Sequence, residues 1–123
     1  MLSLPSSTKV FVCRAPTDMR CSFDKLSAIA AQALSQNVLS GHLFVFLNRL
    51  RTHVKVLYFD RTGLAIWYKR LERGTFTAPS VDEITYRELL CMLEGLEQKK
   101  LRFSLKHKDN LMREKEVSAI KSE

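Results

Sequence analysis

The chain has 123 residues, with 20 Lys and Arg against 13 Asp and Glu, a formal net charge of +7. That length suits one hydrophobic core, and an apolar fraction of 46% is ordinary for a globular chain. No apolar run approaches the roughly 20 residues that span a bilayer, and the positive balance points to a polyanionic partner.

The charge is unevenly spread. Residues 49–73 hold seven Lys and Arg against two acids, residues 74–98 one against five, and residues 99–123 eight against four. A basic central segment followed by an acidic helix is therefore more informative than the total. MLSLPSSTK has no long apolar stretch, so a signal peptide is not expected. Cys13, Cys21 and Cys91 are odd in number and without a C-x-x-C pair, so reduced thiols are expected rather than a disulfide framework or a zinc site. Together these features predict a cytoplasmic or nucleoid-associated protein.

In chain order, Lys9–Cys13 reads as a short strand broken by Arg14-Ala15-Pro16. Thr17 or Asp18 can cap a helix, and a carboxylate suits that end of the dipole. Phe23, Leu26, Ile29, Ala30, Ala33 and Leu34 recur at helical spacing, which predicts a helix over about 18–36. Three strands follow, at 43–47, 54–59 and 64–68, rich in β-branched and aromatic residues. Asp60-Arg61-Thr62-Gly63 has turn chemistry, with Gly63 the residue that tolerates positive φ. A tight turn there sets Phe59 opposite Leu64, Val56 opposite Trp67, Lys55 opposite Tyr68 and His53 opposite Arg70. His53, Lys55, Tyr68 and Arg70 then share one face at the end far from the turn, and the loop 48–52 brings Arg49 and Arg51 to the same end.

Thr75-Phe76-Thr77 is read as a short edge strand before Pro79, and residues 80–84 as a connector. Thr85-Tyr86-Arg87-Glu88 fits a capping box, and Leu89, Leu90, Met92, Leu93 and Leu96 supply the apolar face of a second helix. Leu101, Phe103 and Leu105 alternate with polar residues as in a last edge strand. Beyond about residue 108 charge dominates, and disorder or a frayed helix is expected. The organisation is thus a single domain over 1–107 with a charged tail over 108–123. The fold class is α+β, a mainly antiparallel sheet of four to six strands with two packed helices.

Four blocks resemble a known family. They are TDMRCSFDKL at 17–26, SGHLFVF at 40–46, KVLYFDRTGL at 55–64 and YKRLERGTF at 68–76. In this order and spacing they resemble the small accessory protein of IS66-type bacterial insertion sequences, called TnpB or Orf2-like and unrelated to the RNA-guided nucleases of the same name. The resemblance runs over about 4–96. It implies an auxiliary protein of transposition acting beside a separate DDE-type transposase, and it carries no established catalytic residues. The chain departs from the family pattern in its basic tail from Lys99 and in Thr77-Ala78 ahead of Pro79.

The candidate nucleic-acid contacts are Arg49, Arg51, His53, Lys55, Lys69, Arg70 and Arg73, whose cations suit phosphates. The bland alternative is a solvated surface. Asp18 with Asp24 or Asp60 could bracket a metal, but a cap with Arg20 bonding the carboxylate is the simpler reading. Asp60, Glu72 and Lys69 outline a nuclease-like set, but Trp67 stands where such a set wants an acid. His42 and His53 lack ligand spacing. Trp67 with Phe44 and Phe46 could form a base-stacking platform, although buried aromatic core is the commoner use.

The function expected is a non-enzymatic DNA-binding accessory factor in transposition, with no catalytic residues, metal or cofactor. Its partners would be DNA of the element ends and the transposase of the same element. The alternatives are a protein–protein adaptor docking the transposase through the acidic helix 82–97 or a sheet edge, and a cryptic metal-dependent nuclease.

Overall fold

The apolar runs VFVC and LFVFL are buried along their whole length, which a strand requires only when both of its faces are covered. The computed structural model describes residues 7–94. Its elements are β1 (Val10–Cys13), α1 (Phe23–Leu34), a 3-10 turn (Val38–Ser40), β2 (Leu43–Leu47), β3 (His53–Asp60), β4 (Gly63–Arg70), β5 (Glu83–Ile84) and α2 (Tyr86–Leu93). The strands form one sheet in the order β4-β3-β2-β1-β5. β1 and β2 are parallel, with Val10 beside Leu43, and every other pairing is antiparallel. The fold is α+β, a five-stranded, mostly antiparallel sheet with two helices.

Strand alternation sorts the core onto two faces. Phe11, Cys13, Phe44, Phe46 and Leu57 lie under Leu26 and Ala30 of α1 and under Val38. Val10, Val12, Leu43, Val45, Val54 and Val56 lie under Leu89, Met92 and Leu93 of α2, with Phe76 and Ile84. Each fully buried large side chain contributes about 1.5–3 kcal/mol of transfer free energy. Parallel neighbours need a long crossover, and the segment containing α1 provides it.

The expected register is the one observed: Phe59 opposite Leu64, Val56 opposite Trp67, Lys55 opposite Tyr68 and His53 opposite Arg70. The capping box is also present. Thr85 Oγ1 accepts from the Glu88 amide at 3.1 Å, and Glu88 Oε1 accepts from the Thr85 amide at 2.9 Å.

Other expectations are corrected. α1 starts at Phe23 with Ser22 as its N-cap, without a side-chain cap bond. Thr17 is buried, its amide donating to Leu47 O at 2.8 Å, so the segment before α1 is fastened to the end of β2 instead. Residues 75–77 form no strand: Phe76 is a buried core side chain whose amide donates to Arg51 O at 2.7 Å. The connector 80–84 holds a strand, β5, set antiparallel on β1 with Val10 beside Ile84. Positive φ falls on Arg61 (52°), not on Gly63, and the Thr62 amide closes the turn onto Asp60 O. Trp67 packs on the α2 face whereas Phe44 and Phe46 are buried on the α1 face, so the three form no common stacking platform. Leu96, the strand expected near Leu101–Leu105 and the tail from 108 lie outside the described residues.

Candidate nucleic-acid interface

Because β1 and β2 are parallel and β4 runs the same way as β2, the chain leaves all three strands at one end of the sheet. Loops that follow parallel strands at their carboxyl ends are where such sheets gather functional groups. Here they are the segment 14–22 after β1, the loop 48–52 between β2 and β3, and the segment 71–82 after β4. Backbone bonds tie them together. Thr17 N donates to Leu47 O, Leu71 N to Thr52 O at 2.8 Å, and Phe76 N to Arg51 O.

The 48–52 loop is built on one amide side chain. Asn48 Oδ1 accepts from Thr52 N at 2.9 Å and from His53 N at 3.0 Å, while Asn48 Nδ2 donates to Thr52 Oγ1 at 3.1 Å. Thr52 Oγ1 also lies 2.8 Å from His53 Nδ1. Arg51 takes the left-handed conformation, φ 58°, and its amide donates to Asn48 O at 3.1 Å. Asn is suited to this use because its short side chain satisfies neighbouring backbone amides. The tip carries Arg49, Leu50 and Arg51, all exposed.

The seven expected contact residues have different uses in the fold. Lys55 is only 8% exposed, and its Nζ donates to Met19 O and Cys21 O, both at 2.8 Å, with the Tyr68 ring centroid 4.9 Å away. Lys69 lies on the opposite face of the sheet, and its Nζ donates to Leu93 O at 2.7 Å, a favourable place for a cation at the carboxyl end of α2. Both ammonium groups are thus engaged by backbone carbonyls. Arg70 pairs with Glu72 at 3.0 Å. Arg49, Arg51 and Arg73 are exposed, and none of them takes part in an ion pair among the described residues.

His53 links two shallow clefts on this rim. One, of about 520 Å³, is lined by residues including Asp18, Asn48, Arg49, Leu50 and His53. The other, of about 330 Å³, is lined by His53, Tyr68, Arg70 and Glu72. His53 and Tyr68 have ring centroids 6.0 Å apart, and Tyr68 is 52% exposed. Beside them Arg20 holds Asp18 through contacts of 2.6–3.1 Å, and the side-chain and backbone hydrogen bonds from Arg20 lower the Asp18 carboxyl from 3.8 to about 2. Asp18 is therefore the carboxylate partner of Arg20 rather than the helix cap.

The alternative acid sets do not assemble. Asp60 closes the β3–β4 turn and Glu72 lies beyond the far end of β4, a separation of about 20 Å at 3.3 Å per residue. Asp18 lines the cleft at His53, at the opposite end of β3 from Asp60. His42 is used locally, its Nδ1 accepting from the Lys9 amide at 3.0 Å. Among the described residues no group of three or more His, Cys, Asp or Glu could hold a metal ion, and no helix is long and apolar enough to cross a membrane.

The family model described as IS66 Orf2-like protein matches residues 8–103. The chain belongs to this family. Two relatives come from Sinorhizobium fredii. Uncharacterized protein y4hO is 35% identical over 101 residues, 79% of this chain and 88% of that protein. Uncharacterized protein y4jC is 28% identical over 83 residues, 68% of this chain and 71% of that protein. No solved structure matches. The family is that of an accessory protein of IS66-type insertion sequences.

In this IS66 Orf2-like chain, the blocks 17–26 and 68–76 meet on the rim, and Lys55 of a third block fastens the first in place. Tyr68, which the expected register sets on the basic face, is exposed there, whereas nothing in composition or periodicity singles out Asn48 or Leu50. The N-R-L-R-T order, an amide and a hydroxyl bracketing a basic-apolar-basic tip, was the available signal.

Proposed function

We propose that the chain is a non-enzymatic DNA-binding accessory factor in transposition of an IS66-type element, acting in the cytoplasm beside the element's transposase. The observation that carries this reading is the convergence of Arg49, Arg51 and Arg73, from two loops far apart in sequence, at one end of the sheet and outside any described ion pair. Guanidinium groups without acid partners suit phosphate oxygens, to which they donate in a planar fork. His53, Tyr68 and the Arg70–Glu72 pair border the same surface. Lys55 and Lys69 serve the reading indirectly, by positioning the segment before α1 and the end of α2.

Fluorescence anisotropy with a duplex carrying an element end, titrated over a range of salt, tests it. Each phosphate contact contributes about 0.9 to the slope of log K against log salt. Replacing Arg49, Arg51 and Arg73 together by Ala is expected to reduce that slope by about 2–3. Absence of binding at low salt would remove the proposal.

An adaptor role has one observation in its favour. β4 is an eight-residue edge strand with no neighbour on its outer side among the described residues, and such an edge can accept another strand. Capture of the transposase by the triple-arginine variant, with DNA binding lost, would separate the two roles.

A further inference from the structure

Leu50 is 71% exposed, more than any other large apolar side chain among the described residues. A single exposed Leu needs no explanation by itself. Its setting is what matters. Leu50 stands at the tip of the 48–52 loop with an exposed arginine on either side, and the loop contains no acid. The tip is also held in one shape. Asn48 templates it through Thr52 N and His53 N, and Arg51 is fixed in a left-handed conformation that non-glycine residues adopt only where the surroundings enforce it. The segment after β4 braces it from behind, through Leu71 N and Phe76 N. Ordering this loop on contact with a partner therefore costs little entropy, because folding has already ordered it.

A rigid apolar tip between two cations matches one recognition chemistry closely. Proteins that kink duplex DNA from the minor groove insert Leu, Ile, Phe, Met or Pro between base steps and use Arg and Lys in the same groove, and Arg and Lys are also the usual donors to backbone phosphates. The dimensions agree. Alternate Cα atoms lie within about 7 Å of each other, the minor groove is about 6 Å wide, and long guanidinium arms on both sides can reach the phosphates that border a single step. A protein partner would suit the tip less well, because two unpaired arginines would have to be desolvated around one leucine.

We infer that Leu50 is a wedge that enters the minor groove of duplex DNA and partly unstacks one base step, with Arg49 and Arg51 gripping the backbone beside it, so that the protein kinks the DNA it binds. This rests on the DNA-binding reading above and adds to it a deformation, with a preference for easily unstacked pyrimidine–purine steps.

The test uses the full chain and a duplex labelled at both ends for energy transfer, with 2-aminopurine at a central TA step. Wild type is expected to raise both the transfer efficiency and the 2-aminopurine emission. Leu50→Ala is expected to lose both signals while weakening binding by less than about tenfold, since the phosphate contacts remain. Leu50→Phe is expected to keep both. Because Leu50 is exposed, neither variant threatens folding, which circular dichroism checks. Wild type that binds without bending or unstacking would overturn the wedge and leave the DNA-binding reading standing. Wild type that binds no duplex would overturn both. A Leu50→Ala protein that bends DNA like wild type but no longer captures the transposase would assign the tip to a protein partner and overturn the inference.

Discussion

Lys55 separates a structural cation from a phosphate-binding one, and Lys55→Met tests that separation. Its ammonium makes two hydrogen bonds of 2.8 Å, to Met19 O and Cys21 O, beneath Tyr68. A hydrogen bond to a charged donor contributes about 1.5–3 kcal/mol, and a carbonyl left without its donor costs about 1–3 kcal/mol. Met keeps the volume of the stem and relieves the desolvation of the ammonium, which offsets part of the loss. The net expectation is a destabilisation of about 2–4 kcal/mol, which for a domain of this size lowers Tm by roughly 10–25 °C. Urea denaturation followed by the emission of Trp67, the only tryptophan, measures it. The slope of log K against log salt for DNA should stay unchanged, because this ammonium does not face solvent. A Lys55→Met protein within about 0.5 kcal/mol of wild type, with a salt slope smaller by about 0.9, would refute the assignment.

Arg61 holds φ 52° in the β3–β4 turn, a conformation glycine adopts without a Cβ penalty. Arg61→Gly should therefore raise stability by about 0.5–1 kcal/mol in chemical denaturation. Thr85→Ala removes the side-chain acceptor of the α2 capping box, and should cost about 1 kcal/mol and lower Tm by several degrees. Asp18 should titrate at about 2 in carboxyl-detected NMR and move up towards 3.8 in Arg20→Ala, because hydrogen bonds from Arg20 set the shift. Since the folded value lies below the ordinary one, whatever stability this pair contributes is present above about pH 4 and is lost as pH falls towards 2. An Asp18 midpoint that ignores Arg20→Ala would contradict the observed pairing.

The hairpin was the legible part of the chain because a side-chain period of two and a short turn leave few registers that bury Val54, Val56 and Leu57 together. The α2 start was legible because Thr85 and Glu88 satisfy each other locally. What escaped the sequence depended on distant partners. Thr17 looks like a helix cap until Leu47 O takes its amide. Thr75–Thr77 has strand composition, but Phe76 is drawn into the α2-side core. Glu83–Ile84 is too short for periodicity to register, yet it finds β1 because the sheet would otherwise end on a buried strand. At the candidate site, the location of the basic rim followed from register, while the role of each cation did not. Nothing in the local sequence around Lys55 or Lys69 announces a carbonyl contributed from 24 to 36 residues away.

That division bears on how the net charge of +7 should be weighed. A surplus of Lys and Arg sets a long-range potential wherever the cations sit, and so it speeds encounter with a polyanion. Affinity and geometry come only from cations whose hydrogen-bonding capacity is still open at the surface. In this fold Lys55 and Lys69 already donate to the protein's own carbonyls, and Arg14, Arg20, Arg61 and Arg70 stand beside acids. The candidates that remain on the rim, Arg49, Arg51 and Arg73, sit on loops braced by backbone bonds rather than on the strands themselves. A surface made this way binds with few, well-placed contacts. Among the described residues, the share of the salt dependence that this rim supplies should then be a slope of about 2–3, and its binding should depend more on the shape the DNA can adopt against a rigid tip than on the number of positive residues.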